Sequence, residues 1–227
     1  MKPEHESSPS PPPVGKSAVG HFDPPEPCTG QRRSGLDIPY RQWPAPPDDL
    51  ACERIWDDFA MPEHIRRHSL MVADIATWLA RRAHALGWNV HPDAVRASAL
   101  LHDLAKDYSI RHGGNHAQLG GAWVLDITGN PLIAQGVVHH VFWPWEIDLK
   151  ESFLPLVVIY ADKRVKHCER VSLDTRFEDL FVRYGCNDFL IERISLSKQQ
   201  SQTIEHHLTR SLGIDIHAST FDCGRLV

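Results

Sequence analysis

From Asp48 onward the apolar residues recur at three- and four-residue spacing, and nowhere do they alternate with polar ones between hairpin turns, which confines this part of the chain to helices. In "DDLACERIWDDFA" Leu50, Ile55, Trp56 and Phe59 fall roughly on one face, giving a short first helix. Pro62 stands where a first-turn proline belongs, and a long amphipathic stretch follows to Gly87, with Ile65, Val72, Ile75 and Leu79 at helical spacing. Pro92 opens the next helix in the same way. It is predicted to end near Asp107 or Tyr108, with "RHGGN" as the break. Further helices are predicted at about 116–128, at 131–141 behind Pro131, at 152–170, at 174–184 and at 187–212 before Gly213. The expected fold class is all-α, a helical bundle with short connections and a C-terminal helical extension.

Residues 1–47 hold 12 of the 17 prolines and show no periodicity, the composition of a segment that cannot bury enough apolar surface to offset its ordering entropy. The expected organisation is a disordered Pro-rich tail at 1–47, a core domain at 48–170, C-terminal helices at 171–213 packed on the same bundle, and a tail at 214–227. A net charge of −5 argues against a stable nucleic-acid complex or a membrane surface as partner. The five cysteines are odd in number and form no C-x-x-C pair, which speaks against a disulfide framework. No apolar leader is visible, and no run nears the ~18 apolar residues that span a bilayer, so the expected location is cytoplasmic.

Against this background four polar residues stand on apolar faces. His68 lies three residues after Ile65 and four before Val72, inside the buried stripe of its helix. In "SALLHDLAKD" His102 follows Ala99 by three and Val95 by seven, and Asp103 follows Leu100 by three. Asp162 ends "FLPLVVIYAD", three residues after Ile159. Each alone reads as a hydrogen-bonded core residue or a helix-end carboxylate. Together, two imidazoles and two carboxylates on three apolar faces are a ligand set for manganese, iron, cobalt, nickel or zinc, with magnesium also admitted, and the cation would cancel the charge that makes the burial costly. His116 begins a helix whose paired glycines in "HAQLGGAWVL" allow close approach of a neighbour. In "VVHHV" only His140 shares the face of Val137 at i+3, so His140 ranks above His139 as a further ligand.

The series His68, "ALLHDLAK", His116, His140 and "YADKRV" resembles the HD superfamily of metal-dependent phosphohydrolases, over about residues 61–170. The resemblance implies a helical bundle in which His68, His102, Asp103 and Asp162 hold one divalent ion. It also implies that His116 and His140 hold a second, with Asp103 bridging. By "HDLAK", "HAQLGGA" and "YADK" the nearest subgroup is the small bacterial type resembling symmetrical diadenosine tetraphosphate hydrolases, while "HHVFWPWE" departs from it in the specificity loop.

The chemistry expected is hydrolysis of a nucleotide or other small phosphoester or phosphoanhydride by a metal-activated water, with one or two ions per chain. Asp103 and Lys106 are the expected catalytic residues, Lys106 by offsetting transition-state charge, and Lys163 and Arg164 the expected phosphate contacts. Phe142, Trp143 and Trp145 are candidates for stacking a base. The helices of 171–212 read as architectural, with a homodimer left open. Two other classes compete: a catalytically silent sensing or protein-interaction module, and an HD-type di-iron oxygenase.

Overall fold

A computed structural model describes residues 43–215, and among these the chain forms nine helices and one short antiparallel ladder. The helices are α1 (Asp49–Asp58), α2 (Glu63–Ala85), α3 (Pro92–Leu101), α4 (Lys106–His112), α5 (His116–Thr128), α6 (Pro131–His139), α7 (Phe153–Lys163), α8 (Leu173–Tyr184) and α9 (Asp188–Leu212). The ladder pairs β1 (Val165–Lys166) with β2 (Glu169–Arg170). The all-α expectation holds. The helix ends follow local chemistry: the Asp48, Asn115, Asn130, Ser172 and Asn187 side chains accept from first-turn N–H groups, while Gly129 and Gly213 take the left-handed conformation that stops α5 and α9.

Every residue of α7 is buried. An apolar run such as "FLPLVVIYA" has no polar face to offer water, so it becomes the central rod, with α2, α3, α6, α8 and α9 packed around it. α2 buries Ile65, Val72, Ile75 and Leu79 as the periodicity predicts, whereas Leu50 of α1 faces solvent. The segment ahead of α1 is anchored by Asn130 Nδ2, which donates to the Pro44 carbonyl at 2.8 Å and holds Pro44 against the α5–α6 turn. Residues 1–42 and 216–227, which contain most of the two predicted tails, lie outside the described residues. None of the described helices is long and apolar enough to cross a membrane.

Two helices are shorter than predicted. The third ends at Leu101, and residues 102–105 form tight turns before α4 begins at Lys106. The last carbonyls of α3 are taken by groups that cannot continue a helix: Ala99 O by His102 Nδ1 (2.7 Å), Leu100 O by the Trp56 indole N–H (3.0 Å) and Leu101 O by Leu104 N (3.1 Å). The helix predicted over 152–170 stops at Lys163, and the chain enters the ladder, whose turn passes through His167 at φ 55°. Strands of two residues are too short to leave a period-2 signature.

α5 and α6 form an antiparallel pair in close contact. A Cβ on Gly121 would lie 2.1 Å from Val138 Cγ2 and 3.4 Å from the Ala134 carbonyl, so the approach depends on glycine. Gly121→Ala is expected to lower stability by about 1–3 kcal/mol through overpacking, read as an earlier denaturant midpoint; an unchanged midpoint would show that α6 does not need this approach.

Candidate metal centre

Five elements deliver the site. His68 comes from the second turn of α2, His102 and Asp103 from the turn after α3, His116 from the first residue of α5, His140 from the end of α6 and Asp162 from the last turn of α7. The antiparallel run of α5 and α6 explains why residues 24 positions apart meet: His116 Nε2 and His140 Nε2 are 3.0 Å apart.

Asp103 lies at the centre, 1% exposed. Its Oδ2 faces His102 Nε2 at 3.4 Å and His68 Nε2 at 4.0 Å, and its Oδ1 faces His116 Nε2 at 3.5 Å and His140 Nε2 at 3.6 Å. Asp162 Oδ1 completes the first group, 3.0 Å from His68 Nε2 and 3.8 Å from His102 Nε2. One carboxylate thus presents an oxygen to each of two donor clusters, and the potential ligand atoms of His68, His102 and Asp103, like those of Asp103, His116 and His140, lie within 4.8 Å of one another.

The imidazoles are oriented for this. Ala99 and Val137 carbonyls can only accept, so the Nδ1 atoms of His102 and His140, each 2.7 Å away, carry the protons and donate, leaving each Nε2 with its lone pair toward Asp103. His68 Nδ1 is held in the same manner, 3.3 Å from His167 O. His102 Nε2 and Asp103 Oδ1 are buried without a hydrogen-bond partner, although such atoms are costly to orphan. A cation satisfies both. Two nitrogens bound about 2.1 Å from one ion at a near-right angle stand about 3.0 Å apart, which is the His116–His140 separation.

Electrostatics keep the two carboxylates, His116 and His140 in the forms that bind cations, while His102, although burial works against its charge, is raised by Asp103 and Asp162. Burial works to raise the Asp103 carboxyl, but Lys106 and His102 outweigh it and hold it well below the usual range; Asp162 is held down likewise, against burial, by Lys163 and His68. Burial, joined by repulsion from His140, pushes His116 down to about 4, and burial lowers His140 as well, so both rings are neutral near pH 7.

Lys106 opens α4, beyond the turn, and its Nζ still reaches Asp103 Oδ2 at 2.6 Å; burial opposes its charge, but Asp103 and Asp162 raise its pKa and keep it an ammonium. Lys163 Nζ lies 2.5 Å from Asp162 Oδ2. Both line a cavity of about 510 Å³ whose floor is the His/Asp group. Arg164 does not line it. Its guanidinium, 1% exposed, binds the Val171 carbonyl, the Tyr160 hydroxyl and Glu205 of α9, because the chain has already left α7 and turned away from the site. Of the aromatic run only Phe142 lines the cavity, with the Arg193 guanidinium 5.2 Å from its ring centre. Trp143 is buried, donating its indole N–H to Glu146 O, and the exposed Trp145 packs on it and on His139, which explains why His139 stays outside the cluster.

The upper wall of the cavity is formed by residues that helical periodicity alone does not mark as functional. α8 and α9 contribute Arg176, Phe177, Leu180, Tyr184 and Arg193 to the cavity wall, so the C-terminal helices are more than architecture. Arg176 is the exception, since it follows Leu173 by three and precedes Phe177, the same polar-on-apolar placement that marks His68.

Protein reconstituted with manganese is expected to hold about two ions per chain by elemental analysis. His116→Ala combined with His140→Ala is expected to leave about one, and Asp103→Asn to weaken both; equal metal content in all three proteins would show that Asp103 does not serve both clusters.

Residues 65–172 match the sequence profile of the HD domain family. An uncharacterized protein of Methanocaldococcus jannaschii is 27% identical over 146 residues, covering 59% of this chain and 85% of that protein. No solved structure matches the chain. The family match and the helical bundle agree: residues 65–172 are similar to the HD domain, and they fold as helices apart from one short ladder.

Proposed function

We propose that this protein is a metal-dependent phosphohydrolase acting on a nucleotide or another small phosphoester or phosphoanhydride. HD domains occur generally in metal-dependent hydrolases, and the observation that carries the reading here is the placement of Asp103, one oxygen toward each histidine cluster at the floor of a cavity. His68, His102, Asp103 and Asp162 would hold one divalent ion, and Asp103, His116 and His140 a second. The donor set of four imidazoles and two carboxylates suits manganese, iron, cobalt, nickel or zinc better than magnesium, which prefers oxygen. When bound, such ions supply Lewis acidity and bring the pKa of a coordinated water from ~15.7 toward ~7.

The protein's own groups supply the remainder. The hydrogen bonds from His102 and His140 to helix-end carbonyls fix both rings before substrate arrives. Lys106 and Lys163, charged and beside the two carboxylates, face an incoming phosphoryl group with donors already oriented, so negative charge developing on its oxygens is met without reorganisation. The cavity is large enough for a nucleoside with its phosphates, and its apolar roof, including Phe177, Leu180 and Tyr184, matches a base. Within this class a dinucleoside polyphosphate is the substrate favoured by "HDLAK", "HAQLGGA" and "YADK".

The test incubates protein loaded with manganese, or anaerobically with iron, with diadenosine tetraphosphate and a nucleotide panel, and identifies products by chromatography. Metal-dependent turnover is expected, abolished in Asp103→Asn and reduced in kcat by about 10²–10³-fold in Lys106→Ala. Oxygen uptake by the iron-loaded protein with no phosphate release would replace this reading with an oxidative one.

A further inference from the structure

The cavity continues past the metal centre to a second group of charges, on α8. Arg176 is 8% exposed and lines the cavity. Its Nη1 lies 3.3 Å from Asp179 Oδ2, while its Nε is buried with no partner. Asp179 is shared: Arg183 Nε stands 3.1 Å from Oδ2 and Lys166 Nζ 3.6 Å from Oδ1. Three cations therefore gather on one carboxylate, and the arrangement carries surplus positive charge next to the site. Arg176 is also close enough to Lys106 for the two like charges to oppose each other.

A buried guanidinium with an orphaned N–H, crowded by other cations, is unfavourable unless an anion completes its set. The planar fork of arginine suits phosphate in particular. We propose that Arg176 is an anion-binding residue of this site, taking a non-scissile phosphate of the substrate through its Nε and the adjoining guanidinium edge, with Asp179 as the positioning residue that holds it. The inference rests on the phosphohydrolase reading for its ligand, and it sharpens the substrate class to compounds with at least one phosphate beyond the one attacked. Asp179 takes only Nη1 of the guanidinium, so Nε has no competing partner. Arg193, lying over the Phe142 ring on the same wall, extends the cationic side of the path.

The experiment titrates imidodiphosphate, a non-hydrolysable diphosphate, into the manganese-loaded full chain by calorimetry, comparing wild type, Arg176→Gln, Arg176→Lys and Asp179→Asn, with metal content measured for each. Arg176→Gln is expected to weaken binding by about 10- to 100-fold at unchanged metal content, and Arg176→Lys, which keeps the charge without the fork, by less. In turnover the same variants are expected to raise KM more than they lower kcat. A lower melting temperature with unchanged imidodiphosphate affinity would make Arg176 a structural ion pair and overturn the proposal while leaving phosphohydrolysis intact. Arg176-dependent binding without hydrolysis of any phosphate compound would uphold the anion site and remove the phosphohydrolase reading. No binding by the loaded wild type would remove both. Should Arg176→Gln fail to fold, Arg176→Lys and Asp179→Asn carry the same comparison.

Discussion

The burial of the Asp103 carboxylate is the constraint to which the rest of the structure answers. A lone charge in that position would cost several kcal/mol, so the bundle has to surround it with groups that keep it ionised. Each helix that meets there gives up something regular. α3 stops early so that His102 and Asp103 both turn inward, α5 gives up side chains at Gly120 and Gly121 so that α6 can bring His140 alongside His116, and α7, otherwise wholly apolar, ends in Asp162 and Lys163. Lys106 and Lys163 each sit on one of the carboxylates, giving the floor balanced charge in which two atoms, His102 Nε2 and Asp103 Oδ1, still lack partners. Such local violations of core rules are where function is expected to reside.

How much of this was legible follows from what periodicity can encode. Spacing reports which face of a helix is buried, so His68, His102, Asp103 and Asp162 stand out from a single sequence, as does the choice of His140 over His139. It does not report where a helix ends when the deciding partner is distant. The Trp56 indole that takes the Leu100 carbonyl comes from α1, 44 residues earlier, and no local rule anticipates it. The ladder after α7 was invisible for another reason, since its turn rests on His167 in a left-handed conformation and carries no glycine to announce it.

Arg164 and Arg176 show the same limit from opposite sides. Both are basic residues near the site in sequence or space, and both are buried. Arg164, directly after the last candidate ligand, had the better claim by proximity along the chain. Its partners Glu205 and Tyr160 make it a bolt between α7 and α9, with Tyr160 donating to Glu205 at 2.8 Å. Arg176, far along the chain and in a helix read as structural, faces the cavity. The two assignments depend on each other: by tying α9 to the central rod, the Arg164 node helps set the roof above the floor and thereby gives the cavity its depth.

The charge of the cavity then separates it from the molecule that surrounds it. The chain as a whole is acidic, at −5, yet the cavity wall carries Lys106, Lys163, Arg176, Arg183 and Arg193 against the two carboxylates of its floor. Divalent ions on that floor would add further positive charge. A cavity with low-dielectric walls focuses such a field and draws anions in. The apolar roof works in the other direction, since an inorganic anion alone would leave Leu180, Tyr184 and Ile194 facing water. A ligand that satisfies both halves has several negative charges at one end and a flat apolar group at the other. That pairing comes from two different parts of the chain, the region that matches the HD domain and the C-terminal helices, so on the proposed function exchange of α8 and α9 would alter which compound is accepted before it altered the chemistry performed.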